Sequence, residues 1–132
     1  MTATIVFTAS VVKSYKENDV LTVALGDDPI KPHNFFIITR LDDEDNATVD
    51  DNIGFQTHHS EYEASGAISE VLLTQESLTV HIKPEYAQHF GGICFVGKFI
   101  KSEDLDGEVT ALSGTLKEMF AGSRVLLKVE NN

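Results

Sequence analysis

A strict alternation runs through Ser77-Leu78-Thr79-Val80-His81-Ile82-Lys83. The apolar residues of this stretch fall on one face of an extended chain and the polar residues fall on the other, because successive side chains of a strand point to opposite sides. The pattern is typical of a strand with one face on a core and one face in solvent. An apolar segment at 67–73 and a polar connector at 74–76 precede it, which predicts an antiparallel hairpin.

Most of the chain outside this hairpin also has strand composition. Further strands are predicted at 4–15, 19–25, 33–40, 53–58, 93–100 and 123–129. Pro84 opens a short helix that ends at Gly91-Gly92, and apolar residues recur at helical spacing from Leu105 to Phe120. The order predicts an α+β fold: a twisted, mainly antiparallel β-sheet with one short and one longer helix late in the chain, both on one face.

Length and composition are those of a single soluble domain spanning residues 1–132. Hydrophobic residues make up 42% of the 132, which is sufficient for one core. No stretch approaches the roughly 18 consecutive apolar residues of a membrane helix, and the N-terminus lacks the basic region and cleavage site of a secretory signal. We therefore expect a cytoplasmic protein that does not bind membranes.

The charge balance excludes some partners and favours others. Twenty-one acids oppose ten bases, for a formal net charge of −11. Such a chain repels nucleic acid and attracts basic partners. Acidity also keeps proteins soluble, so the local distribution of the acids must decide between solubility and docking.

Six of the acids gather within ten residues between two predicted strands. They are Asp42, Asp43, Glu44, Asp45, Asp50 and Asp51. An EF-hand needs glycine at its sixth position and glutamate at its twelfth, and counting from Asp42 these positions hold Ala47 and Ile53. We predict neither a metal nor another cofactor. Two interpretations remain open, a solvated loop and a surface that docks a basic partner.

A second candidate contact lies in the polar connector after the strand at 53–58. Tyr62 stands between Glu61 and Glu63. Tyrosine is enriched among the residues that anchor protein interfaces, and flanking acids suit a basic partner surface. We predict that these three residues also bind the partner, with an ordinary exposed tyrosine as the alternative.

No motif for catalysis is present in the sequence. A nucleophile elbow and a glycine-rich phosphate loop are both missing. Cys94, the only cysteine, lies in the apolar run 93–96 and is expected to be a buried small hydrophobe rather than a nucleophile. His58 and His59 would point to opposite faces of a strand and could not chelate one ion together. We expect a protein without enzymatic activity.

A series of spaced motifs runs from about residue 34 to 120. They are Phe36-Ile37-Ile38-Thr39-Arg40, Ile53-Gly54-Phe55-Gln56, Glu61-Tyr62-Glu63-Ala64-Ser65-Gly66-Ala67-Ile68, Val71-Leu72-Leu73, Leu78-Thr79-Val80-His81-Ile82, Gly91-Gly92 and Leu116-Lys117-Glu118-Met119-Phe120. In this order they resemble the bacterial immunity protein family numbered ten, of polymorphic toxin and contact-dependent inhibition systems.

The resemblance implies a cytosolic protein that binds a cognate toxin domain and blocks it. Such toxins are often nucleases, and an acidic inhibitor would occlude the basic cleft in which a nuclease holds its substrate. The alternative is a small non-catalytic ligand-binding or accessory module that uses the open face of the sheet.

Overall fold

The computed structural model describes residues 3–130, which form ten strands and two α-helices. The strands are β1 (Thr4–Ala9), β2 (Val11–Glu17), β3 (Val20–Gly26), β4 (Phe35–Arg40), β5 (Ile53–Thr57), β6 (Ala64–Ser65), β7 (Ile68–Leu73), β8 (Ser77–Ile82), β9 (Cys94–Phe99) and β10 (Leu126–Val129). The helices are α1 (Ala87–Phe90) and α2 (Leu105–Met119), and short 3-10 turns occupy Asp50–Asn52 and Pro84–Tyr86.

The strands divide between two five-stranded sheets. The first sheet has the order β1-β9-β8-β7-β10, and the second sheet has the order β2-β3-β4-β5-β6. All pairs are antiparallel except β1 with β9 and β10 with β7. The predicted α+β class, the mainly antiparallel pairing and the short and longer late helices are confirmed.

The single strand predicted at 4–15 is two strands in different sheets. β1 pairs with β9, and β2 pairs with β3. The inward positions are odd-numbered in β1, where Phe7 and Ala9 are buried, and even-numbered in β2, where Val12 lies opposite Leu25. The inward positions switch from odd to even numbers at Ser10, where the chain leaves the first sheet and enters the second. Strand-forming residues on both sides of the corner hide it in the sequence.

The two sheets pack face to face around phenylalanine rings. The ring of Phe7 lies 5.8 Å from that of Phe36, and the ring of Phe55 lies 5.6 Å from that of Phe95. A Cβ at Gly97 would come within 2.6 Å of the Leu25 side chain, so glycine is needed for this close approach. Burying each of these rings contributes about 1.5–3 kcal/mol.

Helix α2 buries the face that its periodicity predicts. Val109, Leu112, Leu116 and Met119 are all buried. The helix contacts β2 and β3 of the second sheet and also β10 of the first. It therefore closes the side of the sandwich between two edge strands instead of covering one face of a single sheet, and the outer faces of both sheets are left to solvent.

Helix α1 ends as its glycines predict. Gly91 has a φ of 84°, and its N–H donates to the carbonyl of Ala87 at 3.0 Å. No helix within residues 3–130 is long and apolar enough to cross a membrane.

Candidate partner-binding surface

The acidic loop, residues 41–52, connects β4 to β5 and has a defined conformation. One carboxylate oxygen of Asp43 accepts the backbone N–H of Asp45 at 2.9 Å. The Asn52 side-chain oxygen accepts the N–H of Asp43 at 3.2 Å and the amide of Asn46 at 2.6 Å. Side chains of the loop thus satisfy its own backbone, and the segment is a folded turn instead of a freely solvated chain.

Asp42 supports the end of helix α2. Its carboxylate lies 2.8 Å from Nε of Arg40. Nη1 of Arg40 donates to the carbonyls of Met119 at 2.9 Å and of Ala121 at 2.8 Å, where the helix leaves its last carbonyls without partners. The sequence does not reveal the contacts of Arg40 with Met119 and Ala121, because about 80 residues separate Arg40 from each of them.

Asp50 ties the acidic loop to the segment that leads into β10. Its carboxylate accepts the hydroxyl of Ser123 and, at 3.3 Å, the N–H of Arg124. This acid therefore joins parts of the chain that belong to different sheets, which gives it a structural use besides any contact with a partner.

The other four acids of the loop are exposed. Asp51 accepts the N–H of Thr48 at 3.2 Å, and Asp43 accepts that of Asp45 as above. The carboxylates of Glu44 and Asp45 make no hydrogen bond or ion pair with any residue of the described range 3–130. All four carboxylates are accessible from solvent.

The connector that carries Tyr62 sends its side chains in two directions. Tyr62 is 64% exposed, and its ring lies 4.9 Å from that of His89, whose Nε2 is 3.1 Å from the Tyr62 carbonyl oxygen. Glu63 instead accepts the hydroxyl of Thr39 at 3.0 Å and lies across Gly54, on the outer face of the second sheet. Glu61 is exposed.

The acidic loop and the connector at 61–63 come close to each other at the turn Asp50–Asn52. The turn Asp50–Asn52 contacts β6, the strand that directly follows Glu63. A groove of about 480 Å³ lies here, and its lining includes Asp50 and Asp51 together with Lys83 and Arg124. The other seven predicted residues do not line this groove, so the structure does not gather all nine into one cleft.

The adjacent histidines are not on opposite faces of a strand. β5 ends at Thr57, so both histidines lie in the following turn, and the rings of His58 and His59 are 4.3 Å apart. Nδ1 of His58 is 3.2 Å from the N–H nitrogen of Phe35. Desolvation, followed by the nearby His59, lowers the pKa of His58. Among the described residues no group of three or more histidine, cysteine or acidic side chains is placed to hold a metal ion.

Cys94 is half-buried and not fully buried as expected. It lies on the outer face of the first sheet, while its neighbour Phe95 points into the core. The uniformly apolar run 93–96 conceals this alternation. Burial raises the pKa of the Cys94 thiol, and a hydrogen bond with Thr4 opposes that rise. A thiol with a raised pKa is a poor nucleophile.

The fold separates the charges of the chain. Residues 11–65, which form the second sheet and its connections, hold twelve acids and four bases, a net charge of −8. The remaining residues hold nine acids and six bases, a net charge of −3. One sheet with its loops therefore carries most of the negative charge.

Comparisons with known proteins identify one family. The immunity protein 10 family is matched by residues 7–95. This segment begins in β1, includes the whole second sheet and ends in β9. Comparison with curated proteins and with solved structures finds no match.

Proposed function

The chain belongs to the immunity protein 10 family, and we propose that it neutralises a cognate nuclease toxin by covering the toxin's basic active-site cleft with the acidic half of the fold. The family indicates an immunity protein, whose partner is a toxin. The nuclease target, the acidic surface and the blocking of the active site are the parts that we add.

The observation that carries the proposal is the net charge of −8 on residues 11–65. A nuclease must hold a polyanion, so its cleft is basic. An acidic surface of comparable size is attracted to that cleft over roughly a Debye length, about 10 Å at 0.1 M salt. Such steering raises the association rate and selects basic partners over acidic ones.

Within this half, the exposed carboxylates of the acidic loop are the proposed long-range contacts. Asp43, Glu44, Asp45 and Asp51 face solvent on a loop whose backbone is already hydrogen-bonded. Because the loop is folded before it meets the toxin, little conformational entropy is lost on binding. Asp42 and Asp50 act by holding the loop in place.

Tyr62 is the proposed short-range anchor. Its ring is exposed but rests beside the ring of His89, and the His89 side chain also contacts the Tyr62 carbonyl. An aromatic side chain held in one position adds buried area at low entropic cost, which is why tyrosine is frequent among hot spots. Glu61, which is exposed, adds negative charge next to it, whereas Glu63 contributes its charge on the outer face of the second sheet.

We propose that inhibition is by occupancy and requires no turnover by the chain. Neutralisation should then need one chain for each toxin domain. It should take place in the cytoplasm, where the nucleic acid substrate of such a toxin lies.

The test uses the toxin domain that we expect to be encoded beside the gene for this chain. The two proteins are produced together, separated in denaturant and refolded, and nuclease activity is measured on plasmid DNA and on RNA. Activity should fall linearly with added chain and vanish near a 1:1 ratio, and a DNA oligonucleotide should compete with the chain for the toxin. Full nuclease activity in excess chain would contradict neutralisation, and a toxin inactive on both nucleic acids would contradict the nuclease assignment.

A further inference from the structure

The outer face of the second sheet is not covered by a helix and carries mainly apolar and hydroxyl side chains, most of them half-buried. Its outward residues are Val11, Lys13, Tyr15, Thr22, Ala24, Phe35, Ile37, Thr39, Gly54 and Gln56. We infer that this face is the surface on which the toxin domain docks, with an apolar or aromatic toxin side chain at its centre and basic toxin side chains around it. The inference rests on the proposed function and deepens it by naming the binding face.

The centre of the face is a groove suited to an apolar side chain. It has a volume of about 310 Å³, and its lining includes Tyr15, Ala24, Phe35 and Ile37. Tyr15 is 46% exposed although it lies on a strand, and Phe35 and Ile37 are half-buried. Covering such a strip removes apolar area from water, which favours binding.

One wall of the groove is fixed by two aspartates in the β3–β4 connection. Asp27 accepts the N–H groups of His33 at 2.9 Å and of Asn34 at 3.2 Å, and the Asn34 side-chain amide at 3.0 Å. Asp28 accepts the N–H groups of Ile30 at 2.8 Å and of Lys31 at 3.1 Å. These bonds hold the wall in one conformation, so a partner would meet a preformed groove.

Charge complementarity selects the occupant. Asp28 and Lys13 both line the groove, Glu63 adds a negative charge over Gly54 on the same face, and the acidic loop follows directly from β4. An apolar centre with a charged rim is the usual anatomy of a protein interface. Two copies of this chain would bring two surfaces of the same sign together, and nucleic acid would be repelled. A basic protein therefore fits best.

The first sheet provides the internal comparison. Its outer face is also open, and Val6 on its edge strand is 51% exposed. Val96 lies near the middle of that face, beside Val6 and Thr79. The face belongs to the part of the chain with a net charge of only −3. Lys98, Lys128 and Glu70 project from it, and Lys128 pairs with Glu70 at 3.0 Å. Both outer faces are open, so shape does not distinguish them as binding surfaces. The net charge of the residues around each face does.

The test compares matched substitutions on the two faces. Tyr15→Ser and Val6→Ser truncate exposed side chains on the edge strands of the second and first sheet. Ile37→Glu and Val96→Glu place a charge on half-buried positions of inner strands. Affinity for the refolded toxin domain is measured by titration calorimetry after thermal melting has shown that each variant is folded, and the edge-strand pair decides if Ile37→Glu unfolds.

We expect Tyr15→Ser to raise the Kd at least about tenfold and Ile37→Glu to raise it about a hundredfold, as hot-spot changes do. Both changes on the first sheet should leave the Kd within about twofold. A Tyr15→Ser variant that binds like wild type, or a Val6→Ser variant that is equally impaired, would overturn the inference while the proposed function stands. Wild-type dimers that Tyr15→Ser dissolves would instead identify a second copy as the occupant. If the wild-type chain does not bind the toxin at all, the proposed function itself fails.

Discussion

Arg40 is the side chain on which the end of helix α2 depends most. Arg40→Met removes the donor to three carbonyls at the helix end and should lower the free energy of unfolding by about 1–3 kcal/mol. Lys16→Met is the control, because Lys16 also contacts the helix, through an exposed pair 3.8 Å from Glu118. Removing that pair should cost about 0.5 kcal/mol or less. Urea denaturation measures both, and equal losses would contradict the role of Arg40.

Cys94 is expected to be an unreactive and dispensable thiol. Its raised pKa and partial burial should make it react with a disulfide reagent more slowly than free cysteine at neutral pH. Because the side chain is half-buried on an outer face, Cys94→Ser should cost less than about 1 kcal/mol and leave toxin affinity unchanged. Rapid modification of the native protein, or loss of binding in the serine variant, would show that the assignment is wrong.

His58 gives the stability of the fold a dependence on pH. Desolvation lowers its pKa in the folded state, so the unfolded chain binds the proton more readily. The contribution of neutral His58 is complete above the unfolded pKa of about 6.5 and is lost as the pH falls below it. His58→Gln should therefore lose less stability than wild type between about pH 7.5 and about pH 5. Thermal melting at both pH values checks this, and an equal loss in His58→Gln and wild type would show that His58 is not responsible.

The acidic loop shows how one segment can serve structure and binding together. Asp50 holds it to Ser123 and Arg124, whereas Glu44 projects without a partner in the described residues. Asp50→Ala should lower the free energy of unfolding by about 1–2 kcal/mol, because two donors lose their acceptor. Glu44→Ala should change it by no more than about 0.5 kcal/mol. Chemical denaturation decides, and an Asp50→Ala variant as stable as wild type would remove the structural role.

The elements with strong local patterns are those that could be predicted from the sequence. The alternation of β8, the helical spacing of α2 and the glycine after α1 are local, and each is observed. The sheet change at Ser10 could not be predicted, because strand-forming residues continue across it and the change of pairing partner is a tertiary feature. The hydrogen bonds between Arg40 and the end of α2 join residues about 80 positions apart, and no local sequence pattern predicts them.

The candidate surface was open to prediction only in part. Six clustered acids and a tyrosine between two glutamates are visible in the sequence, and they remain predictions of contact. The structural uses of Asp42 and Asp50, the support of Tyr62 by His89 and the open face around Ile37 depend on tertiary contacts. The excess charge of residues 11–65 can be counted from the sequence. Only the fold shows that these residues form one sheet with its connections, which places the charge on one part of the molecule.

For the molecule as a whole, we propose that the position of the negative charge, and not its total, guides the chain to its toxin. Two variants with identical net charge separate these possibilities. The first carries Asp43→Asn, Glu44→Gln, Asp45→Asn and Asp51→Asn, four exposed acids of the loop. The second carries Glu103→Gln, Asp104→Asn, Asp106→Asn and Glu108→Gln, four exposed acids at the start of helix α2.

The decisive measurement is the association rate of each variant with the refolded toxin domain, by stopped flow at low and at high ionic strength. At low salt the first variant should associate several-fold more slowly than wild type, while the second should stay close to wild type. At about 1 M salt, where the Debye length is about 3 Å, the three rates should converge. Equal slowing of both variants, or a first variant that associates at the wild-type rate at low salt, would contradict the claim.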